Sequence, residues 1–129
     1  MKVLALDFGS ARTGVAVSDA TGTIAQPLDV VEGAASRDGL ARVAEIVREH
    51  EVERVVVGMP LTLGGQRGSQ ALETEKFVRE LREALDVPVE TYDERFTTTL
   101  ASKVPGTARE DARAAAHLLE SYLARAGSR

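Results

Sequence analysis

The N-terminal stretch Met1-Lys2-Val3-Leu4-Ala5-Leu6-Asp7-Phe8-Gly9-Ser10-Ala11-Arg12-Thr13-Gly14-Val15-Ala16-Val17-Ser18-Asp19 decides how this chain folds. Two apolar, β-rich runs, Val3–Leu6 and Val15–Val17, flank a polar turn with glycine at both ends, the pattern of a β-hairpin. Asp7 falls where the first strand stops being apolar. Rigid backbone would hold its carboxylate at the lip of a buried sheet, with Gly9 leaving room beside it. A turn-initiating aspartate that bonds nearby backbone N–H groups gives the same pattern. The hairpin alone does not separate the two roles, and the rest of the chain has to decide.

Outward from the hairpin, Thr21-Gly22-Thr23 marks another turn, and Ile24–Val31 is a third extended segment whose Pro27 predicts an edge position. Three strands joined by short turns make an antiparallel meander. Ser36–His50 has helical spacing, with Leu40, Val43, Ala44 and Val47 on one face and Ser36 as the N-cap. In Arg54–Met59 the continuous run Val55-Val56-Val57 predicts a strand covered on both faces, as in a parallel arrangement. The glycine-rich segment from Pro60 to Gly68 lacks the Gly-Lys-Ser/Thr ending of a phosphate loop, so it is expected to be a flexible loop at a strand end. Ser69–Leu85 is a second helix with Thr74, Phe77, Val78, Leu81 and Leu85 on its buried stripe. Val87–Tyr92 is a fifth strand ending in Asp93-Glu94-Arg95, and Thr97–Lys103 fits a short helical turn. Thr107-Ala108-Arg109-Glu110 has capping-box spacing and opens a last helix. Its apolar face is Ala112, Ala115, Ala116, Leu119, Tyr122 and Leu123, with Ala124–Arg129 a fraying tail. The order β-β-β-α-β-α-β-α predicts an α/β fold. Its five-stranded mixed sheet has the first three strands antiparallel, the first, fourth and fifth parallel, and helices on its flanks.

The 129 residues suit a single domain over 1–129, large enough to bury one core. There is no cysteine, which excludes disulfides, thiolate metal sites and a Cys nucleophile and leaves oxygen ligands or His50 and His117 for any metal. No apolar run approaches membrane-spanning length and Asp7 interrupts any signal-peptide pattern, so no membrane partner and a cytosolic location are expected. A net charge of −4 argues weakly against a nucleic-acid binder. From Arg95 onward, however, six basic residues face three acidic ones, and five of the six are arginine, whose planar fork suits phosphate. A solvated charged face would look the same.

In this strand order the C-terminal ends of the first, fourth and fifth strands share one sheet edge, where ligand sites of open α/β sheets gather. Asp7 ends the first strand and Asp93-Glu94 the fifth. Asp111 lies on the apolar stripe of the last helix, one turn in, and is expected to point at the sheet. A first-turn helix charge would explain Asp111, and a surface ion pair would explain Glu94. Asp93 is turned away by strand alternation from the face that Glu94 uses. Carboxylates from distant parts of a chain without cysteine suit hard cations, Mg²⁺ or Mn²⁺. Two such ions can activate a water and stabilise the leaving oxygen of a phosphodiester.

Four segments carry a family resemblance: Leu6-Asp7-Phe8-Gly9 with Gly14-Val15-Ala16, Val57-Gly58-Met59-Pro60-Leu61, Asp93-Glu94-Arg95 with Thr97-Thr98, and Asp111 with Ala115-Ala116 and Leu119-Glu120-Ser121-Tyr122. Together they resemble the YqgF/RuvX family, a bacterial branch of the RNase H-like superfamily, over nearly the whole chain. The resemblance implies an RNase H-like fold and a metal-dependent nuclease that processes the 5′ end of pre-16S rRNA. Resolution of Holliday junctions in branched DNA is the alternative. It implies Asp7, Glu94 and Asp111 as catalytic metal ligands, with Arg12, Arg95, Thr98 and Arg109 as candidate substrate contacts. The Arg95–Asp111 segment is shorter than in many relatives, and Glu110 replaces the basic residue often found before the final aspartate. The fourth strand ends in Gly58 without an acid, so Glu94 must fill that place from the fifth strand. Two other classes remain: a nucleotide-binding module, since the Asp7-Phe8-Gly9 hairpin also resembles that of actin-like and sugar-kinase ATPases, and a non-catalytic interaction protein. With three Phe, two Tyr and no Trp, mostly on faces expected to be buried, a monomer or weak homodimer is expected.

Overall fold

A computed structural model describes residues 1–61, 64–66, 68–97 and 108–127. Its elements are β1 (Val3–Asp7), β2 (Arg12–Ser18), β3 (Ala25–Glu32), α1 (Arg37–Glu49), β4 (Arg54–Met59), α2 (Ser69–Ala84), β5 (Val89–Asp93), a 3-10 turn (Glu94–Phe96) and α3 (Ala108–Gly127). The sheet runs β3-β2-β1-β4-β5, so Pro27 does lie on an edge strand. β1 pairs antiparallel with β2 and β2 with β3, whereas β4 is parallel to both β1 and β5. This is the mixed sheet that the element order predicts.

Alternation along the central strands divides the core into two layers. Leu4, Leu6, Val15, Val55 and Val57 face the side of α1 and α2, where they meet Val43, Ile46, Phe77 and Leu81. Val3, Ala5, Ala16 and Val56 face α3 and meet Ala115, Ala116, Leu118 and Leu119. The residues contacting α3 are small, and its own stripe is alanine-rich, so this helix comes close to the sheet. At Gly14 the approach reaches backbone: a Cβ there would stand 1.9 Å from the Asp111 carbonyl oxygen. Asp111, in the first turn of α3, lies near the C-terminal end of β1, because Gly14 pairs with Asp7. Eleven residues later Tyr122 donates to Glu90 and accepts from Arg54, whose partner in β1 is Val3. α3 therefore runs back along β1.

Several boundaries differ from the sequence expectation. Ser36 caps α1 by accepting from Gly39 N, as expected, but the buried stripe is Gly39, Val43, Ile46 and Val47. Leu40 and Ala44 are only half-buried, because Gly39 sits against the Gly33-Ala34 backbone and rolls the helix towards Ile46. β5 starts at Val89 and extends to Asp93. Pro88 has no N–H for the ladder, although its carbonyl accepts from Val55 N at 2.9 Å. Ala124–Gly127 is helical and not a frayed tail. There the Arg125 guanidinium lies 3.9 Å from the centre of the Phe96 ring and ties the last turns down. The capping Thr107 and the turn expected over Thr97–Lys103 lie, apart from Thr97, outside the described residues. Among the described residues no helix is long and apolar enough to cross a membrane.

The Gly14 contact is with backbone and cannot be relieved by a rotamer change. Gly14→Ala should therefore destabilise the fold by about 1–3 kcal/mol or more, the usual cost of overpacking. A urea midpoint equal to that of the unsubstituted chain would show that α3 is not seated on β2 as described.

Candidate active site

Three acids lie on the α3 face of the sheet, near the end of β1. Asp7 follows Val3 and Ala5 in alternation, so its side chain leaves β1 on that face, and it is half-buried. On one side its neighbour is Gly14, above which α3 delivers Asp111. On the other side is the end of β4, since Leu6 pairs with Val57 and Gly58 comes next. Glu94 covers that glycine: a Cβ at Gly58 would lie 2.7 Å from Glu94 Oε1 and 3.0 Å from its Cγ. Glu94, from beyond β5, thus occupies the space that Gly58 leaves at the end of β4.

Asp93 and Glu94 diverge because the chain turns between them. Asp93 is the last residue of β5 and caps the 3-10 turn by accepting from Arg95 N. Its carboxylate also takes the Arg95 guanidinium, with Oδ2 at 2.9 Å from Nε and 2.6 Å from Nη2. The hydrogen bond from Arg95 holds the Asp93 carboxyl below its ordinary range. The turn itself is fixed from α3: Ser121 Oγ donates to the Phe96 carbonyl at 3.1 Å and shares a 2.7 Å hydrogen bond with Tyr92 Oη. Tyr92 further packs edge-on against Tyr122, at 5.7 Å between ring centres. The other end of the Asp7 turn is held by Phe8, which stacks on the buried Phe77 at 4.4 Å.

Arg12, the first residue of β2, forms an ion pair with Asp111, Nε to Oδ2 at 2.9 Å. The alignment is too poor for a hydrogen bond, and Oδ2 is closed to solvent and accepts none among the described residues. Closed to solvent and paired with one guanidinium, this carboxylate oxygen keeps acceptor capacity that a cation could use. The donor set is all-oxygen, which matches hard divalent ions. Among the described residues, however, no three His, Cys, Asp or Glu side chains already stand close enough to share an ion. The backbone places the three acids along one stretch of the sheet's α3 face, with their carboxylates not gathered into one cluster.

Of the expected substrate contacts, Arg12 and Arg95 are thus engaged by Asp111 and Asp93, Arg109 is exposed on the first turn of α3, and Thr98 lies outside the described residues. Gly9 does not serve to leave room beside Asp7. A Cβ there would meet the Arg12 carbonyl at 2.4 Å, so this glycine closes the hairpin turn. Ser121 and Tyr92 were not legible as supports of the turn, since Ser121 stands out only within the Leu119–Tyr122 motif and Tyr92 only as a strand end. A surface depression of about 550 Å³ between α1 and α2, lined by Leu40, Ala44, Glu80 and Ala84 among others, lies on the opposite side of the sheet and includes none of the three acids.

A family described as "RuvX: Holliday junction resolvase" matches residues 1–125. A Desulforudis audaxviator protein named "Putative pre-16S rRNA nuclease" is 42% identical, covering 95% of this chain and 94% of its own length. A protein of the same name from Syntrophomonas wolfei is 36% identical, with coverage of 95% and 94%. In fold the chain is similar to Thermus thermophilus RuvC, solved in complex with a Holliday junction substrate. There the TM-score is 0.58 at 20% identity, covering 99% of this chain and 97% of that one. The chain accordingly has a RuvC-like, RNase H-type fold, and with 125 of its residues matched it belongs to the RuvX family.

Proposed function

We propose that this protein is a metal-dependent nuclease that hydrolyses phosphodiester bonds of RNA, with the 5′ end of pre-16S rRNA as its substrate. Asp7, Glu94 and Asp111 would be its metal ligands. The observation that carries the reading is the placement of Glu94 over Gly58 and of Asp111 over Gly14, one on each side of Asp7. The names of the relatives that match over most of the chain support RNA as the substrate.

Bound among these oxygens, Mg²⁺ or Mn²⁺ would supply a water activated at neutral pH and a counter-charge for the leaving oxygen. The protein's own part is positional and electrostatic. Asp7 sits on rigid strand backbone at the centre, and Glu94 and Asp111 flank it from a turn and a helix that are both anchored to α3. Arg12, which pairs with Asp111, would share its charge with the scissile phosphate. Arg95, Thr98 and Arg109 would contact the strand around it.

Resolution of branched DNA is the second reading, favoured by the description of the matching family. Paired symmetric cuts normally require a stable twofold dimer, which needs an apolar patch of interface size. Among the described residues the exposed large apolar side chains are Met1, Ile24, Leu72 and Phe96, divided among the N-terminus, the β2–β3 turn, α2 and the 3-10 turn. That scatter supports a monomer or weak dimer and the RNA reading.

With Mg²⁺ or Mn²⁺, the purified protein should cut pre-16S leader RNA or single-stranded RNA faster than it makes paired nicks in a four-way junction. A tight dimer in sedimentation that nicks junctions symmetrically would reverse this order. Asp7→Asn should fold normally yet lose more than the ~100-fold that changes behind a metal ligand typically cost. Glu94→Gln should lose far more activity than Asp93→Asn, and equal losses would mean that the end of β5 is misassigned.

Gly58→Ala tests the cradle itself. The added methyl meets a flexible side chain and not backbone, so stability should stay within about 1 kcal/mol of the starting protein, because Glu94 can swing aside. Cleavage should nevertheless fall as steeply as in Glu94→Gln. A Gly58→Ala protein that cuts at the original rate would remove Glu94 from the site.

A further inference from the structure

We propose that the groove between the β3 edge and the first turns of α3 binds the sugar–phosphate backbone of the RNA strand next to the scissile bond. Arg113 and Arg109 are its phosphate contacts. The proposal rests on the nuclease reading above and extends it to a subsite that the three acids do not define.

The groove has a volume of about 390 Å³, with Pro27, Val30 and Ala112 among its lining residues and Arg109 and Arg113 at its rim. Its position follows from the sheet register. Val30 pairs with Gly14 and Gly14 with Asp7, so the three form one row across β3, β2 and β1. Two strand spacings separate Val30 from Asp7, roughly 10 Å, which places the groove beside the proposed reaction centre. Gly14 is also where Asp111 rests, so the wall of the groove and the third acid belong to the same two turns of α3.

Charge decides what the groove takes. Arg109 and Arg113 are four residues apart and project from one side of the helix, both exposed, while Asp111 between them turns to Arg12. Among the described residues neither Arg109 nor Arg113 forms an ion pair, in contrast to Arg12 and Arg95. Asp29 also lines the groove, but its oxygens are occupied: Oδ1 accepts from Val30 N at 2.7 Å and Oδ2 from Arg42 Nη2 at 3.2 Å. Two uncompensated guanidinium groups over a partly apolar floor match a strand that presents phosphates on one edge and sugar and base faces on the other. This cationic rim also explains how an acidic protein engages a polyanion: the attraction is local.

The test is a salt titration of binding, read by fluorescence anisotropy on a labelled single-stranded RNA, with Asp7→Asn as the background so that the strand survives. Each phosphate contact to a single strand contributes about 0.7 to the slope of log K against log salt. Arg113→Ala should lower the slope by about 0.7, and Arg109→Ala with Arg113→Ala by about 1.4, whereas Arg113→Lys should retain it. Arg79→Ala, on α2 across the sheet, should bind with the slope of the background protein. Unchanged affinity and slope in both Arg113→Ala and Arg113→Glu would overturn the subsite while RNA cleavage by the unsubstituted chain kept the nuclease reading intact. A protein that cuts no RNA in the cleavage assay would overturn the nuclease reading first, and the subsite with it.

Discussion

The structure depends on a missing side chain at Gly14. Helices on sheets usually stand off by the thickness of two interleaved layers of side chains. At the start of α3 that thickness is gone, and the Asp111 carbonyl occupies the place of a Cβ on β2. The contact sets the height of the helix and selects the small residues around it, Ala5 and Ala16 from the sheet and Ala112, Ala115 and Ala116 from the helix. It also brings a carboxylate to the row that contains Asp7. Packing and site are one constraint here, because a bulkier face would lift Asp111 away from the strand.

Clustering acids at one sheet edge has an electrostatic cost, and the protein meets it with nearby cations. Arg12 lies against Asp111 and Arg95 against Asp93. Both pairs are partly exposed and screened by solvent, so they add little to stability. Their larger effect is on direction. Arg95 holds Asp93 on its own side of β5, while Asp93 caps the turn that sends Glu94 to the other side, so two neighbouring acids in the sequence face different surroundings.

Much of this was legible in the sequence because it depends on local patterns. The hairpin, the fully buried Val55-Val56-Val57 strand and the edge position of Pro27 follow from alternation, a continuous apolar run and a missing N–H. Asp7 and Glu94 stand out as acids at the ends of apolar strands, and Gly58 as the strand end where an acid was absent. What escaped the sequence depends on three-dimensional fit. The roll of α1 towards Ile46 comes from Gly39 meeting the Gly33 carbonyl, a contact without periodicity. The helical Ala124–Gly127 end looks like a tail because alanine, glycine and arginine carry no apolar stripe. It is tied by Arg125 over Phe96, a contact between residues far apart in the chain. Ser121, likewise, looks like a polar interruption in an apolar helix face.

Ser121 shows how a single helix can fix the relation between two acids. α3 carries Asp111 at its start, and ten residues on, about 15 Å along its axis, Ser121 holds the carbonyl of Phe96 and the hydroxyl of Tyr92. Phe96 closes the turn that begins at Glu94, with Thr97 N bonding back to the Glu94 carbonyl at 3.0 Å. The direction in which Glu94 leaves the turn is therefore set by the same rigid helix that sets the height of Asp111. Asp7 needs no such help, because it belongs to a strand paired on both sides. A strut that grips the chain near both acids fixes the backbone from which each side chain leaves. The divalent-ion chemistry proposed for these acids would need such placement, because Mg²⁺ tolerates little error in ligand geometry.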